Sequence, residues 1–450
     1  MNKSSVIVKI LITGNRVLES PLLIGDGTGE TADNFRDVHV LKNRQGKPFI
    51  PGTSLCGVLR QWLEDVLPAW TMKIFGDDKK MQSSIQFEDI VLADNDKIIP
   101  RDGVRIDGLT GTGVKGGKYD FEVVERGATG RLKLAMTLRG IHVDEKFNGD
   151  KNYSLEAIRE VIALLLGRLR DGIRLGALTT KGFGLVAAKN LDANIYDFRD
   201  KADVAAWLVG GDGAQKILPS TEKNSASPKD FVVNAEFNFN SSFIVRDYEV
   251  TAEDKKQTVS ATTLKSHGDF VIPGTSLKGI LRHRAEYIFG KLGLDKKFLD
   301  DLMGTTTNKS RFVVAESYVA AENFAEVMHT RNKIDRFTGG TLQGTLFTTK
   351  PAYQKNFGAS TLNIHFEIRD ANKFEAGLAI FLLRDLWFGR VAIGGEKSVG
   401  RGTVRGQAAT INFNSKTFTL DAHGKIINGD AAELEKFSAA LKNFSGGDDK

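Results

Sequence analysis

Apolar side chains alternate with polar ones along SVIVKILIT, from Ser5 to Thr13, and again along FVVNAEFNF, from Phe231 to Phe239. That period predicts a half-buried strand in each place. Each strand leads through a polar loop to Ile-Pro-Gly-Thr-Ser-Leu, where the spacing changes. Leu55, Val58, Leu59, Trp62 and Leu63, and then Leu277, Ile280, Leu281, Ala285 and Ile288, recur at helical intervals. Further strands are predicted at SSIQFEDIVLA and SRFVVAESYVA, and at GRLKLAMTLRGI and STLNIHFEIRD. Second helices follow at LEAIREVIALLLGRLRDG and KFEAGLAIFLLRDLW, each running into a last glycine-rich strand. Strand, helix, two strands, helix and strand is the order of a ferredoxin-like or RRM-like sandwich, an antiparallel sheet with two helices on one face. The predicted class is therefore α+β, with that sandwich made twice.

The duplication rests on three anchors in the same order. Pro51 and Pro273 lie 222 positions apart, Asp107 of RIDGLTGTG and Asp335 of KIDRFTGGT 228, and Gly182 of TTKGFG and Gly400 of KSVGRG 218. A first domain is expected over residues 1–195 and a second over 231–410. The stretch 196–230 is read as a linker region, because STEKNSASPKD lacks the apolar spacing of a core element. Residues 411–450 are read as a C-terminal hairpin and a disordered tail ending in SGGDDK.

Composition narrows the function classes. At 450 residues the chain is long enough for two or three domains. No apolar run approaches the ~18 residues of a membrane helix, and the N-terminus lacks a signal-peptide core, so a cytoplasmic protein is expected. Cys56 is the only cysteine and none of the seven histidines is paired at metal spacing, which argues against disulfides and a structural zinc site. A net charge of +6 is compatible with a polyanionic partner but modest for this length. The 47 glycines against 9 prolines say more, since they cluster where backbone must turn or approach closely.

The repeated motifs carry the candidate chemistry. In P-G-T-S-L the proline and glycine set a turn, and Thr or Ser is expected to cap the helix. A helix tip with free amides beside Ser54 or Ser276 suits a phosphate. Lys278 falls on the first turn of the second helix, where the first repeat has Cys56, and Arg60 and Arg282 lie one turn on. In TTKGFG and KSVGRG, Lys181, Lys397 and Arg401 accompany Gly182, Gly184, Gly400 and Gly402. Such loops let backbone press against a sugar-phosphate chain, or they are tight turns needing a positive φ. Asp107 and Asp335 open the Ile-Asp-x-x-Thr-Gly stretches, which lie in long predicted hairpins; such protrusions commonly touch a partner, although both acids could serve only the turn. The loop LLIGDGTGETADNFRDVHV supplies Asp26, Asp33 and Asp37, and SFIVRDYEVTAEDKK supplies Asp247 and Asp254. One carboxylate beside a bound RNA strand can assist proton transfer or hold a divalent cation.

These residues resemble the RAMP superfamily of CRISPR systems, and most of all the backbone subunits of type III effector complexes. The resemblance rests on I-P-G-T-S-L-x-G, on I-D-x-x-T-G and on the terminal G-x-G loop, and it covers both repeats. Two copies in one chain are similar to the tandem, double-backbone form of type III-D variants. The resemblance implies a subunit that binds guide RNA, inserts a thumb hairpin built around Asp107 or Asp335, and partners target RNA and other effector subunits. It also implies cleavage of paired target RNA with a divalent metal ion, Mg2+, near an Asp in the loop before I-P-G. By position that Asp is Asp37, thirteen residues before Ile50, with Asp26 and Asp33 as alternatives and Asp37 and Asp26 as metal ligands. The second repeat has Val259 at that distance from Ile272, leaving Asp247, the counterpart of Asp26, as its candidate. A scaffold that binds guide RNA without cutting is the alternative. A processing endonuclease with a histidine acid or base is disfavoured, since His39 has no counterpart and His283 faces Gln61.

Overall fold

The computed structural model describes residues 4–27, 38–77, 81–93, 98–143, 154–221, 227–247, 254, 259–355 and 362–444. They fall into two compact units. The first comprises residues 1–101, 120–179 and 183–225, and the second 102–119, 180–182 and 226–450.

In the first unit the opening strand β1 (Val6–Leu18) buries every other side chain over most of its length. It is followed by helix α1 (Gly52–Val66), the short strand β2 (Ile85–Phe87), and a ribbon of β3 (Ile98–Ile106) and β4 (Gly113–Val124) whose outer part is counted with the second unit. Strand β5 (Thr129–Arg139), helix α2 (Leu155–Asp171) and strand β6 (Leu185–Asp197) complete the set. The sheet order is β6-β1-β5-β2, all antiparallel. Ile10 stands opposite Met136 on one side and Ile195 on the other, and all three are buried. The helices cover the apolar face with Leu55, Leu59 and Leu63 from α1 and Ile158, Ile162, Leu165 and Leu169 from α2. Ser154 fixes where α2 begins by accepting from Ala157 N at 3.3 Å.

The second unit repeats this order with β7 (Phe231–Phe239), α3 (Gly274–Leu292), β8 (Phe312–Val314), β9 (Leu362–Ile368), α4 (Lys373–Trp387) and β10 (Val404–Phe413). Its sheet order, β10-β7-β9-β8, is that of the first unit. Ala235 pairs with Ile364 on one side and Ala409 on the other. A capping box sets the start of α4, with Asn372 accepting from Glu375 N at 2.9 Å and Glu375 accepting from Asn372 N at 3.1 Å. Each unit is thus the expected sandwich, built around its own apolar cluster.

Two stretches hold more structure than their polar composition implied. Within 196–230, a helix over Lys201–Val209 is capped by Asp200, and its Trp207 ring lies 5.1 Å from that of Tyr196. Gln215–Lys216 then adds an edge strand to β6. Within 411–450, the expected hairpin forms as β11 (Lys416–Leu420) and β12 (Ile426–Asn428), which extend the second sheet. The next residues, read as tail, fold into helix α5 (Ala431–Lys442), capped by Asp430. Only Leu434, Phe437 and Leu441 are apolar and buried on α5, too sparse a stripe to stand out against its charges. The segment SGGDDK lies outside the described residues from Gly446 on, with Ser445.

Phe437 packs edge-on to Phe413 at 5.3 Å. Phe437→Ala is therefore expected to lower the stability of the full chain by about 3–5 kcal/mol in urea unfolding, the usual cost of emptying a buried aromatic site. A change below about 1 kcal/mol, typical of an exposed position, would mean that α5 does not share the core.

Candidate nucleic-acid interface

The residue preceding both helices of the Ile-Pro-Gly motif is a proline, Pro51 at φ −59° and Pro273 at φ −60°, and neither helix has a side-chain cap. The expected capping by Thr or Ser is therefore corrected: the fixed ring of proline sets the turn, and Ser54 and Ser276 sit half-buried inside the first turn. The tip of α1 is not free either, since Gly52 N donates to Asp89 Oδ1 at 2.8 Å. At the tip of α3, the segment 180–182 of the same unit lies so close that a Cβ on Gly274 would stand 2.2 Å from Lys181 O.

The cations of this motif divide sharply. Arg60 is exposed. Lys278, expected to reach a phosphate, is only 5% exposed. Its Nζ donates to Phe312 O and Ser310 Oγ, both at 2.7 Å, and to Thr180 Oγ1 at 3.2 Å. Burial, with Lys181 and Arg282 nearby, pushes its amine down to about 7. Arg282 is likewise engaged inside its unit, by Gly304 O at 2.7 Å, by Asp300, and by Glu286 at 3.4 Å. Helical spacing could not reveal this for Lys278, because its acceptors, Thr180, Ser310 and Phe312, lie far from it in the chain. Lys181 is half-buried, and burial and Arg282 lower its pKa. Cys56, at the place of Lys278 in the first repeat, has a thiol raised by burial against the opposing pull of Arg60.

The glycine loops follow one plan. Gly184 N donates to Pro21 O at 2.7 Å while its carbonyl accepts from Leu175 N at 2.8 Å; Gly402 N donates to Ser242 O at 2.7 Å while its carbonyl accepts from Ile393 N at 2.8 Å. Both glycines have positive φ, 76° and 77°, and a Cβ on either would lie 1.9 Å from a backbone oxygen. These two are therefore structural turns rather than open cradles, and Gly182 is buried as well. Gly400 and Lys397 remain exposed on the second loop. Arg401, counted as a phosphate contact, is 5% exposed. It donates to Glu396 at 2.7 Å, Ser242 Oγ at 3.1 Å and the Tyr353 hydroxyl at 3.2 Å.

The Ile-Asp-x-x-Thr-Gly stretches are the most alike of all. Asp107 Oδ1 accepts from Leu109 N at 3.0 Å, Thr110 N at 2.7 Å and Thr110 Oγ1 at 3.0 Å. Asp335 Oδ1 accepts from Phe337 N at 2.9 Å, Thr338 N at 2.8 Å and Thr338 Oγ1 at 3.1 Å. These bonds, the amide of the Thr first, hold both carboxyls below the ordinary aspartate range. The acids therefore build the turns. What the turns present is the residue just before Thr: Leu109 is 96% exposed and Phe337 97%. Neither was singled out from the sequence, although an apolar residue at the same place in both copies was the available signal.

A family model for the RAMP superfamily matches residues 17–187 and 206–405. The chain belongs to the RAMP superfamily. No curated protein sequence matches it. Among solved structures it is similar to a chain in the cryo-EM structure of the Type III-B Cmr-beta bound to cognate target RNA, with 14% sequence identity and a TM-score of 0.30. That likeness covers 41% of this chain and 60% of the other.

Of the acidic candidates in this RAMP chain, Asp26 is exposed, and its amide donates to His39 O at 3.1 Å. Asp33 and Asp37 lie outside the described residues. Asp247 is half-buried on a two-residue strand paired with Val259–Thr263, and Asp254 is buried in an ion pair with Lys350. Among the described residues no three His, Cys, Asp or Glu side chains gather as a metal site. The described donors thus do not by themselves define a place for a divalent ion.

Lys278→Met should separate structure from recognition. It removes the ammonium that Phe312 O, Ser310 Oγ and Thr180 Oγ1 share, so a loss of about 1–3 kcal/mol in urea unfolding is expected, with RNA affinity unchanged. Because the folded-state amine is depressed to about 7, the unfolded chain holds that proton more tightly, and wild-type stability should rise as pH goes from about 7 toward about 10.4. The variant should lack that slope. Weaker RNA binding at unchanged stability would instead place the ammonium on a phosphate.

Proposed function

We propose that this chain is a double backbone subunit of a type III CRISPR ribonucleoprotein, acting in the cytoplasm. It binds guide RNA along both repeats, pairs with target RNA through that guide, and assembles with other effector subunits. The observation that carries this reading is the pair of Asp-anchored turns, each holding an apolar side chain almost wholly in water. Among the described residues these are the most exposed of the large apolar side chains, and stacking Leu109 or Phe337 against a base would take that surface out of water. Sequence selectivity belongs to base pairing, as in other RNA-guided effectors, so the protein itself needs only turns, amides and cations. Binding should weaken with salt, log K falling at about −0.7 per phosphate neutralised on a single strand.

The finer part of the proposal is catalytic. Metal-dependent cleavage of the paired target is assigned to the loop before the first Ile-Pro-Gly, with Asp37 as the leading residue, Asp26 and Asp33 as alternatives, and Mg2+ as the ion. In the second repeat only Asp247 is available, because Val259 occupies the matching place. That substitution favours a scaffold role for the second repeat.

Two experiments test these layers. With 2-aminopurine in the guide, binding should raise its fluorescence as a base is unstacked. Phe337→Ala should reduce that signal and weaken binding by about 1–3 kcal/mol, the worth of one base–aromatic contact; an unchanged signal would remove the wedge from the account. In the assembled complex with Mg2+, Asp37→Ala should keep RNA binding and lose one cleavage product, with Asp26→Ala as the parallel case. Retention of every product in both, and in Asp33→Ala and Asp247→Ala, would leave a scaffold.

A further inference from the structure

The two glycine loops share a backbone but not what lies beneath it. Leu178 and Glu396 open them at φ 56° in each case, and Phe183 and Arg401 occupy the same place between matched glycines. In the first unit this place is filled with hydrocarbon: Phe183 is buried with Leu23, Val123 and Phe121, the two phenyl rings 5.9 Å apart, and Leu178 packs against them. The second unit has a charged cluster instead. Glu396 receives Arg331 at 2.6 Å and Arg401 at 2.7 Å. The Tyr353 hydroxyl meets Arg401 at 3.2 Å and His329 Nε2 at 3.1 Å, and the Tyr353 and His329 rings are stacked within 16°. The fold does not require this, since its own first copy fills the place with apolar side chains.

A cavity of about 280 Å3 opens on the cluster, lined by Ser241, Ser242, His329, Arg331, Tyr353 and Arg401. The lining supplies guanidinium and hydroxyl donors and no carboxylate. Arg331 and Arg401 share the single Glu396 with Arg246, 3.5 Å away, which leaves a surplus positive charge, and Arg331 Nε is buried without a hydrogen-bond partner among the described residues. Donors of this kind suit a phosphate, and the stacked ring pair suits a planar base. The volume lies just under the ~300–1,000 Å3 of small-molecule pockets, a size suited to one nucleotide unit.

We propose that this pocket of the second repeat binds a single nucleotide unit, its phosphate against Arg331 and the Ser241–Ser242 hydroxyls and its base against His329 and Tyr353. The unit comes from a single-stranded RNA, in which case the site rests on the RNA-binding reading above, or from a free nucleoside monophosphate, in which case it does not.

The full chain is titrated calorimetrically with AMP, UMP, inorganic phosphate and a short single-stranded RNA. The variants are Arg331→Gln and the double change Glu396→Leu/Arg401→Phe, which copies the first repeat's own filling; melting curves establish that each is folded. Nucleotide binding should fall about tenfold or more in both, as expected for losing a charge-assisted contact, and inorganic phosphate alone should bind more weakly than AMP. Binding of AMP and UMP with the same dependence on Arg331, but none of RNA, assigns the pocket to a free nucleotide and removes the RNA reading. RNA binding that both folded variants keep in full, with no nucleotide binding by the wild type, overturns the pocket and leaves the RNA reading intact. Equal affinity for phosphate and AMP overturns the nucleotide assignment.

Discussion

Everything in either repeat hangs on one central strand hydrogen-bonded along both edges. β1 is held between β5 and β6, and β7 between β9 and β10. A strand paired on both sides has no free edge and no freedom of register, because a slip by one residue would turn its buried side chains toward water. That constraint fixes where the strands end, and the functional features are mounted at those ends. The glycine loop enters the last strand of each unit, the Ile-Pro-Gly turn starts the first helix, and the Asp-anchored tips project from long connections. Strict pairing inside and long connections outside allow one scaffold to be used twice while its loops change.

The two loops show how far that change has gone. A buried ion pair is commonly no better for stability than well-packed apolar residues, and replacing one is often neutral or favourable by about 1–4 kcal/mol. The first repeat took the apolar solution with Phe183 and Leu178, and the second took Arg401 and Glu396. An arrangement that is costlier to fold, placed at an opening in the surface, is what a binding function selects. The buried Lys278 is the opposite case. Its amine is engaged by acceptors from its own unit, so the side chain is used inside the fold although burial disfavours its charge.

The sandwich was legible in the sequence because its strands and helices have clean periods and because the chain writes the pattern twice. The order of elements and the duplication follow from that, while the family was suggested by the resemblance of the Ile-Pro-Gly, Ile-Asp-x-x-Thr-Gly and terminal glycine motifs. The site was only partly legible. A motif specifies backbone shape, and at Gly184 and Gly402 the shape itself requires glycine, since the space beside each Cα holds another segment's carbonyl. Whether a cation near such a motif reaches solvent depends on residues distant in the chain; Ser310 and Phe312 decide it for Lys278, and Ser242 and Tyr353 for Arg401. Leu109 and Phe337 escaped notice for a related reason. Their sequence neighbours look like turn residues, and only the folded chain shows how fully they are exposed.

The central claim is that the chain grips RNA with its two Asp-anchored tips. Ultraviolet crosslinking of the tagged chain isolated from its host, followed by mass spectrometry of the RNA-linked peptides, addresses it most directly. The account predicts that small RNA accompanies the chain and that crosslinks concentrate on residues 107–111 and 335–339. A chain that carries no RNA, or one whose crosslinks avoid both tips, would contradict it.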